Sequence, residues 1–210
     1  MELRYFKSEL RAESSGKQKK LRGVAIRYGT RSASYIATGT RERIASGAFS
    51  KSIRSASGSM DIRMLYEHNA ENLLARTSAG TLRLTDTDDA LLFDADLPDT
   101  TVANDLYEQV RVGNVRGMSF GMIVDGDDYA TEADEDDNGN EIDDRCMVRT
   151  VRSGSLIEIS SVSLPAYETG TVLARNSFQL VSPEVRSAAL AFHKHDGTAE
   201  AARRMNNFLL

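Results

Sequence analysis

Short apolar segments, cut off every few residues by Gly, Asp, Asn or Pro, point this chain toward sheet. GVAIRYG (23–29), MDIRMLYEH (60–68), TLRLTD (81–86), ALLFDADL (90–97), VRGMSFGMIV (115–124), RCMVRTVR (145–152) and SLIEISSVSL (155–164) are rich in aliphatic and aromatic residues. Several alternate, as in Leu82-Arg83-Leu84-Thr85, which implies one buried and one wet face. The expected fold is mainly β with α: an antiparallel β-barrel core flanked by helices. At 210 residues the chain can bury a real core without disulfide staples.

Helical patterns are few. In DTTVANDLYEQVRVGN a Thr at 100 or 101 can cap, Val102, Leu106 and Val110 recur at four-residue spacing, and Gly113 can end the helix. Residues 42–55 (ERIASGAFSKSIRS) offer a second helix with Ile44, Phe49 and Ile53 inward. The expected organisation is a flexible N-terminal arm over 1–20, a main domain over 21–180, and a C-terminal helical segment over 181–210.

Charge is unevenly spread. Eleven of the 31 acidic residues fall within 125–144 and none of the 26 Lys and Arg does, so the rest of the chain is net basic. Such a run predicts a solvated acidic loop, turning at Asn138-Gly139. Asp134-x-Asp136-x-Asn138-Gly139 copies the first half of a calcium loop, but Arg145 stands where the closing bidentate Glu belongs. No metal and no cofactor are expected. The basic surplus lacks the aromatic interleaving of an RNA-binding module, so no specific nucleic-acid partner is expected. There is no run of about 18 apolar residues and no apolar signal region, which predicts a soluble chain with no membrane partner. The single cysteine, Cys146, reads as a small buried hydrophobe rather than a nucleophile.

Gly117-Met118-Ser119-Phe120-Gly121 has the G-x-S-x-G form of an α/β-hydrolase elbow. That elbow needs a helix directly after the serine, with Asp and His following. Here Gly-Met-Ile-Val and the acidic run follow instead, and the later histidines, His193 and His195, lie in a polar stretch. A serine hydroxyl becomes a useful nucleophile only when a base can take its proton, and His68, at the end of a strand pattern, is the credible base. A third group must hold the other ring nitrogen. Glu158, an acid inside SLIEISSVSL, would be costly to bury without a partner. Each residue also has a plain structural reading: Ser119 as a small strand residue between glycines, His68 as a strand end, Glu158 as a wet edge position.

The ordered series GVAIRYG, ERIASGAFSKSI, MLYEHNAENLLARTSAGTLRL, LLFDADLPDT, VRGMSFGM and EISSVSLPAYETGT, over about residues 20–175, resembles the tailed-phage prohead proteases. That family is similar to the herpesvirus capsid maturation proteases, the assemblins. The resemblance implies a serine endopeptidase with an assemblin-like barrel, made in the host cytoplasm and enclosed in the procapsid. Its implied substrates are scaffold, or the scaffolding segment of the major capsid protein, and the protease itself; a homodimer is a further implied partner. Ser119 is implied as nucleophile, His68 as general base and Glu158 as third member. Backbone N–H groups of Ala166 and Tyr167 are the candidate oxyanion donors, in a loop reading Leu164-Pro165-Ala166-Tyr167 where the herpesvirus proteins carry paired arginines.

The chain departs from the family pattern in the length of its acidic insertion and in Ala75, which replaces a common glycine. Glu141 and Asp144 are alternative third members within the charged run. Alternative functions are a non-catalytic capsid scaffold or assembly protein on the same fold, and an α/β-hydrolase-type esterase.

Overall fold

The computed structural model describes residues 1–7, 10–15, 18–32, 36–37, 39–55, 61–135 and 141–163. All of these belong to one unit, Met1–Pro165. The expected boundary at 180 and the helical segment 181–210 lie outside the described residues, as do Ala166, Tyr167, His193 and His195.

Among the described residues ten strands and two helices follow in the order β1 (Glu2–Lys7), β2 (Leu10–Ser15), β3 (Gln18–Arg27), β4 (Thr40–Ile44), α1 (Ser50–Ser55), β5 (Arg63–Tyr66), β6 (Asn69–Arg76), β7 (Leu82–Asp86), β8 (Ala90–Asp96), α2 (Thr101–Arg111), β9 (Gly117–Glu135) and β10 (Glu141–Val162). The described fold is thus mainly β, in a curled half-barrel arrangement. One sheet runs β1-β9-β10-β5-β6, with β4 also on β10; the other runs β2-β3-β8-β7. Leu21, Ile26, Leu91 and Phe93 of the second sheet meet Met118, Phe120, Met122, Leu156 and Ile159 of the first in a single core.

β10 organises the first sheet. One edge pairs antiparallel with β9; the other carries β4 and β5 in succession, both parallel. Between them the backbone groups of β10 need other partners, because a buried peptide group left unpaired is costly. The segment around α1 supplies them: Ala45 N–H donates to Val151 O, Gly154 N–H to Ala48 O, and Leu156 N–H to the Ser52 hydroxyl.

α2 matches the sequence expectation. Thr100, extended at φ −118° and ψ 158°, caps it by accepting from Ala103 N–H, and Ala103, Leu106, Tyr107 and Val110 are buried. Gly113 follows at φ 83°, the left-handed conformation that ends helices.

Three expectations are corrected. The N-terminal arm is not loose: residues 2–7 form β1 on the edge of β9, and residues 10–15 pair with β3. β1 is tied in part by ion pairs to distant residues, Arg4 on Glu42 and Glu2 on Arg149, partners of which the local sequence gives no sign. The helix over 42–55 is only its last part, α1; Thr40–Ile44 is strand with alternating burial, and Gly47, at φ 72°, separates the two. The acidic stretch is largely strand, since β9 continues to Glu135 and β10 begins at Glu141. The arginines its sequence lacks come from elsewhere: Arg149 onto Asp127, Arg152 onto Asp128, Arg41 onto Asp134, and Arg31 and Arg43 onto Glu132. Residues 136–140, with the expected Asn138-Gly139 turn, lie outside the described residues.

Candidate active site

β5 and β6 are joined by a two-residue turn, Glu67-His68, with Tyr66 and Asn69 paired across it. Both turn residues have positive φ, 54° and 55°. Two such residues match a type I′ hairpin turn, which fits the twist of the flanking strands but strains any residue with a Cβ. Glu67 ties the turn to the end of β10: its N–H donates to Ser161 O at 3.0 Å, and its carboxylate accepts from Ser163 N–H at 2.7 Å. The strained conformation is thereby held, and the imidazole of His68 is carried toward β10.

There His68 Nδ1 lies 2.8 Å from Glu158 Oε1. An ionised carboxylate can only accept, so in the neutral imidazole this contact puts the proton on Nδ1 and the lone pair on Nε2. The other oxygen, Oε2, accepts from the Ser160 hydroxyl at 2.6 Å. Glu158 is 4% exposed. Burying a carboxylate costs several kcal/mol unless partners compensate, and His68 and Ser160 are those partners.

Glu158 faces this way because β10 slips register against β9 between Leu156 and Glu158. In an unbroken strand Leu156 and Glu158 would share a face. The bulge at Ile157 reverses the alternation, so that Leu156 stays in the core while Ile157 and Glu158 both line a cleft beside His68. The cleft, of about 250 Å³, has apolar walls from Leu65, Leu73 and Ile157 and is bordered by Met1.

Ser119 lies across the ladder. It is paired with Ser160, and Gly121 with Glu158. The hydroxyl-bearing run of β10 therefore faces the G-x-S-x-G strand: Ser119 adjoins Ser160, Ser160 holds Glu158, and Glu158 holds His68. Gly121 makes room for this arrangement, because a Cβ there would sit 2.7 Å from Glu158 Oε1. Ser119 is itself fully buried, and its hydroxyl donates to the backbone oxygen of Arg4 on β1 at 2.8 Å.

A strand paired on both sides, with no helix after the serine, is not an α/β-hydrolase elbow: β9 continues as strand to Glu135. Residues 6–182 match the family described as Caudovirus prohead serine protease. The chain belongs to that family. The chain is also similar in structure to the bacteriophage T4 capsid assembly protease gp21, with 8% identity, a TM-score of 0.49, and coverage of 77% of this chain and 96% of that one. No curated protein matches it.

The other candidate third members, Glu141 and Asp144, belong to the start of β10, where Glu141 pairs with Glu135, while Glu158 lies near its end. Asp134, first ligand of the half calcium loop, is buried and accepts from Arg41 Nε at 2.7 Å. Among the described residues no cluster of His, Cys, Asp and Glu could hold a metal ion, and no helix is long and apolar enough to cross a membrane. Cys146 is buried; burial and the neighbouring Asp134 push its thiol pKa up, away from the nucleophilic thiolate. Sequence reasoning missed Ser160 and the spacing role of Gly121. The first was signalled by its i+2 position from Glu158, which puts both on one face of a strand.

Proposed function

We propose that this serine protease is an endopeptidase of the procapsid interior, cutting scaffold or the scaffolding segment of the major capsid protein, and itself. The observation that carries the reading is the 2.8 Å contact between His68 Nδ1 and the buried carboxylate of Glu158, one strand away from Ser119.

In the proposed reaction His68 Nε2 takes the Ser119 proton and Ser119 Oγ attacks the scissile carbonyl carbon. Glu158 keeps the ring oriented and stabilises the imidazolium that forms. His68 then returns the proton to the departing amine as the C–N bond breaks, leaving an ester on Ser119. Water, deprotonated by the same imidazole, adds to that ester; its C–O bond breaks and Ser119 recovers its proton. Main-chain N–H groups of Ala166 and Tyr167 are the proposed oxyanion donors, one such donor being worth about 3 kcal/mol.

Incubated chain should shorten itself, read by mass spectrometry, and a serine-directed phosphonate should label Ser119. Ser119→Ala should keep the circular dichroism spectrum of the parent and lose both reactions; self-cleavage by that variant would remove Ser119 as nucleophile. The same experiment separates the protease from a non-catalytic capsid assembly protein, a reading to which the complete burial of Ser119 lends weight.

A further inference from the structure

We propose that the edge of β9 beside Ser119 is the slot for an extended peptide substrate, that β1 fills this slot in the resting chain, and that Glu42 selects a basic side chain at the residue whose carbonyl oxygen accepts from the Ser119 hydroxyl. The inference rests on Ser119 being the nucleophile.

β1 is the outermost strand of its sheet, paired antiparallel with β9 from Glu2 opposite Met122 to Lys7 opposite Gly117. Were it to leave, the backbone N–H and C=O groups along that edge of β9 would be open to another extended chain, and main-chain pairing of this kind is a general way of holding peptides. Nothing in Met1–Arg4 belongs to the hydrophobic core. Over Glu2–Arg4 the strand is tied by its ladder and by ion pairs, which water and a competing peptide can replace.

The contacts of β1 are those expected of a peptide seated against the nucleophile in an unreactive pose. A hydroxyl has one proton, and Ser119 gives it to Arg4 O at 2.8 Å. It is therefore not given to an imidazole, and the alcohol meets the carbonyl oxygen rather than the carbon. The side chain of that same residue enters a built acidic site. Arg4 Nη2 donates to Glu42 Oε2 at 2.9 Å and Arg4 Nε to Glu42 Oε1, while Glu42 is only 4% exposed. Three residues earlier, Met1 borders the cleft that holds His68 and Glu158.

Glu42 is also reached by Arg149 Nη1 at 3.1 Å, and Arg149 spans Glu2 and Asp127 as well. With β1 gone, Glu42 keeps one cation where it had two. An incoming Arg or Lys restores the second, whereas an acidic residue would add a third carboxylate around one guanidinium.

The test uses the full chain with Arg4→Glu, and with Arg4→Glu combined with Tyr5→Pro, which sets a carboxylate against Glu42 and removes a strand N–H. Both should expose the amides of Gly117–Met122 to deuterium exchange and speed phosphonate labelling of Ser119 roughly tenfold or more. A synthetic MELRYFKSE peptide should restore protection to those amides, and the same peptide with Glu in place of its Arg should not. Substrates with Arg or Lys before the cut should exceed Leu by about tenfold in kcat/KM in the Arg4→Glu chain, and Glu42→Gln added to it should erase that preference. Exposed β9 amides with Ser119 labelled no faster than in the parent chain, itself labelled, would overturn the proposal, as would a β1 that stays protected in both variants or a peptide effect indifferent to Arg. Restored protection without labelling in any variant would instead sink Ser119 as nucleophile and leave the slot standing.

Discussion

A methyl group at residue 121 would sit 2.7 Å from Glu158 Oε1 and 3.0 Å from Met1 Sδ. The second of these is the end of a flexible side chain and can move; the first belongs to a buried carboxylate fixed by two hydrogen bonds. Gly121→Ala should therefore push Glu158 off His68 rather than unfold the sheet. We expect a stability cost of about 1–3 kcal/mol from overpacking. The activity loss should be larger, on the order of a hundredfold, because misplacement of a reacting group by about 1 Å has that effect. Urea titration and peptide hydrolysis measured side by side check it, and full activity in the variant would mean that Glu158 does not orient the imidazole.

Two features of single elements set the site: the Glu67-His68 turn and the bulge at Ile157. Each puts a side chain where regular geometry would not. The turn holds two non-glycine residues at positive φ, each costing on the order of 1–3 kcal/mol, offset by the bonds from Glu67 to β10. A β-branched residue tolerates that conformation worst. Glu67→Val should lower stability by about 2–4 kcal/mol, combining added strain with the lost bond to Ser163 N–H. It should also reduce turnover and Ser119 labelling together, because both need His68 held in place. Chemical denaturation with parallel kinetics provides the measurement; a variant as stable as the parent would show the turn to be unstrained.

Across the whole molecule, arginine–carboxylate pairs stitch segments that hydrophobic burial leaves at the periphery, and their effect is pH-dependent. Hydrogen bonds from Arg83 and Lys20 push Asp96 down to about 2, and those from Arg76 and Ser78 hold Asp61 well below the usual carboxylate range. Burial pushes Asp94 and Glu2 up, but Arg83 and Arg22 on the one and Arg149 and Arg4 on the other outweigh it, so both also lie low. Carboxyls depressed by folding bind fewer protons in the native state. Their stabilisation is complete above the unfolded values of 3.8 and 4.5 and is lost as pH falls through the folded ones. Tm followed by circular dichroism should drop progressively from about pH 4.5 toward about pH 2. Asp96→Asn should make that drop shallower. The exposed pairs are individually small contributors, screened by solvent, so 1 M salt should lower Tm only slightly at neutral pH.

Residue order alone settled the strand-rich class, because alternation and turn residues are local signals, and it settled α2 with its Thr100 cap for the same reason. It also raised Ser119, His68 and Glu158 as candidates, each with a plain structural reading still open, and it was the family resemblance that joined them as a set. What it could not reveal was anything carried by partners distant in the chain. The N-terminal segment looks unstructured by itself, and the partners that tie it, the edge of β9 and the charges of Glu42 and Arg149, lie far away in the chain. The acidic run looks repulsive until arginines from β4, β10 and Arg31 are set beside it. The face on which Glu158 emerges was decided by a one-residue slip between β9 and β10. Propensity and periodicity are properties of neighbours in sequence, whereas register and ion pairing exist only once the sheet has closed.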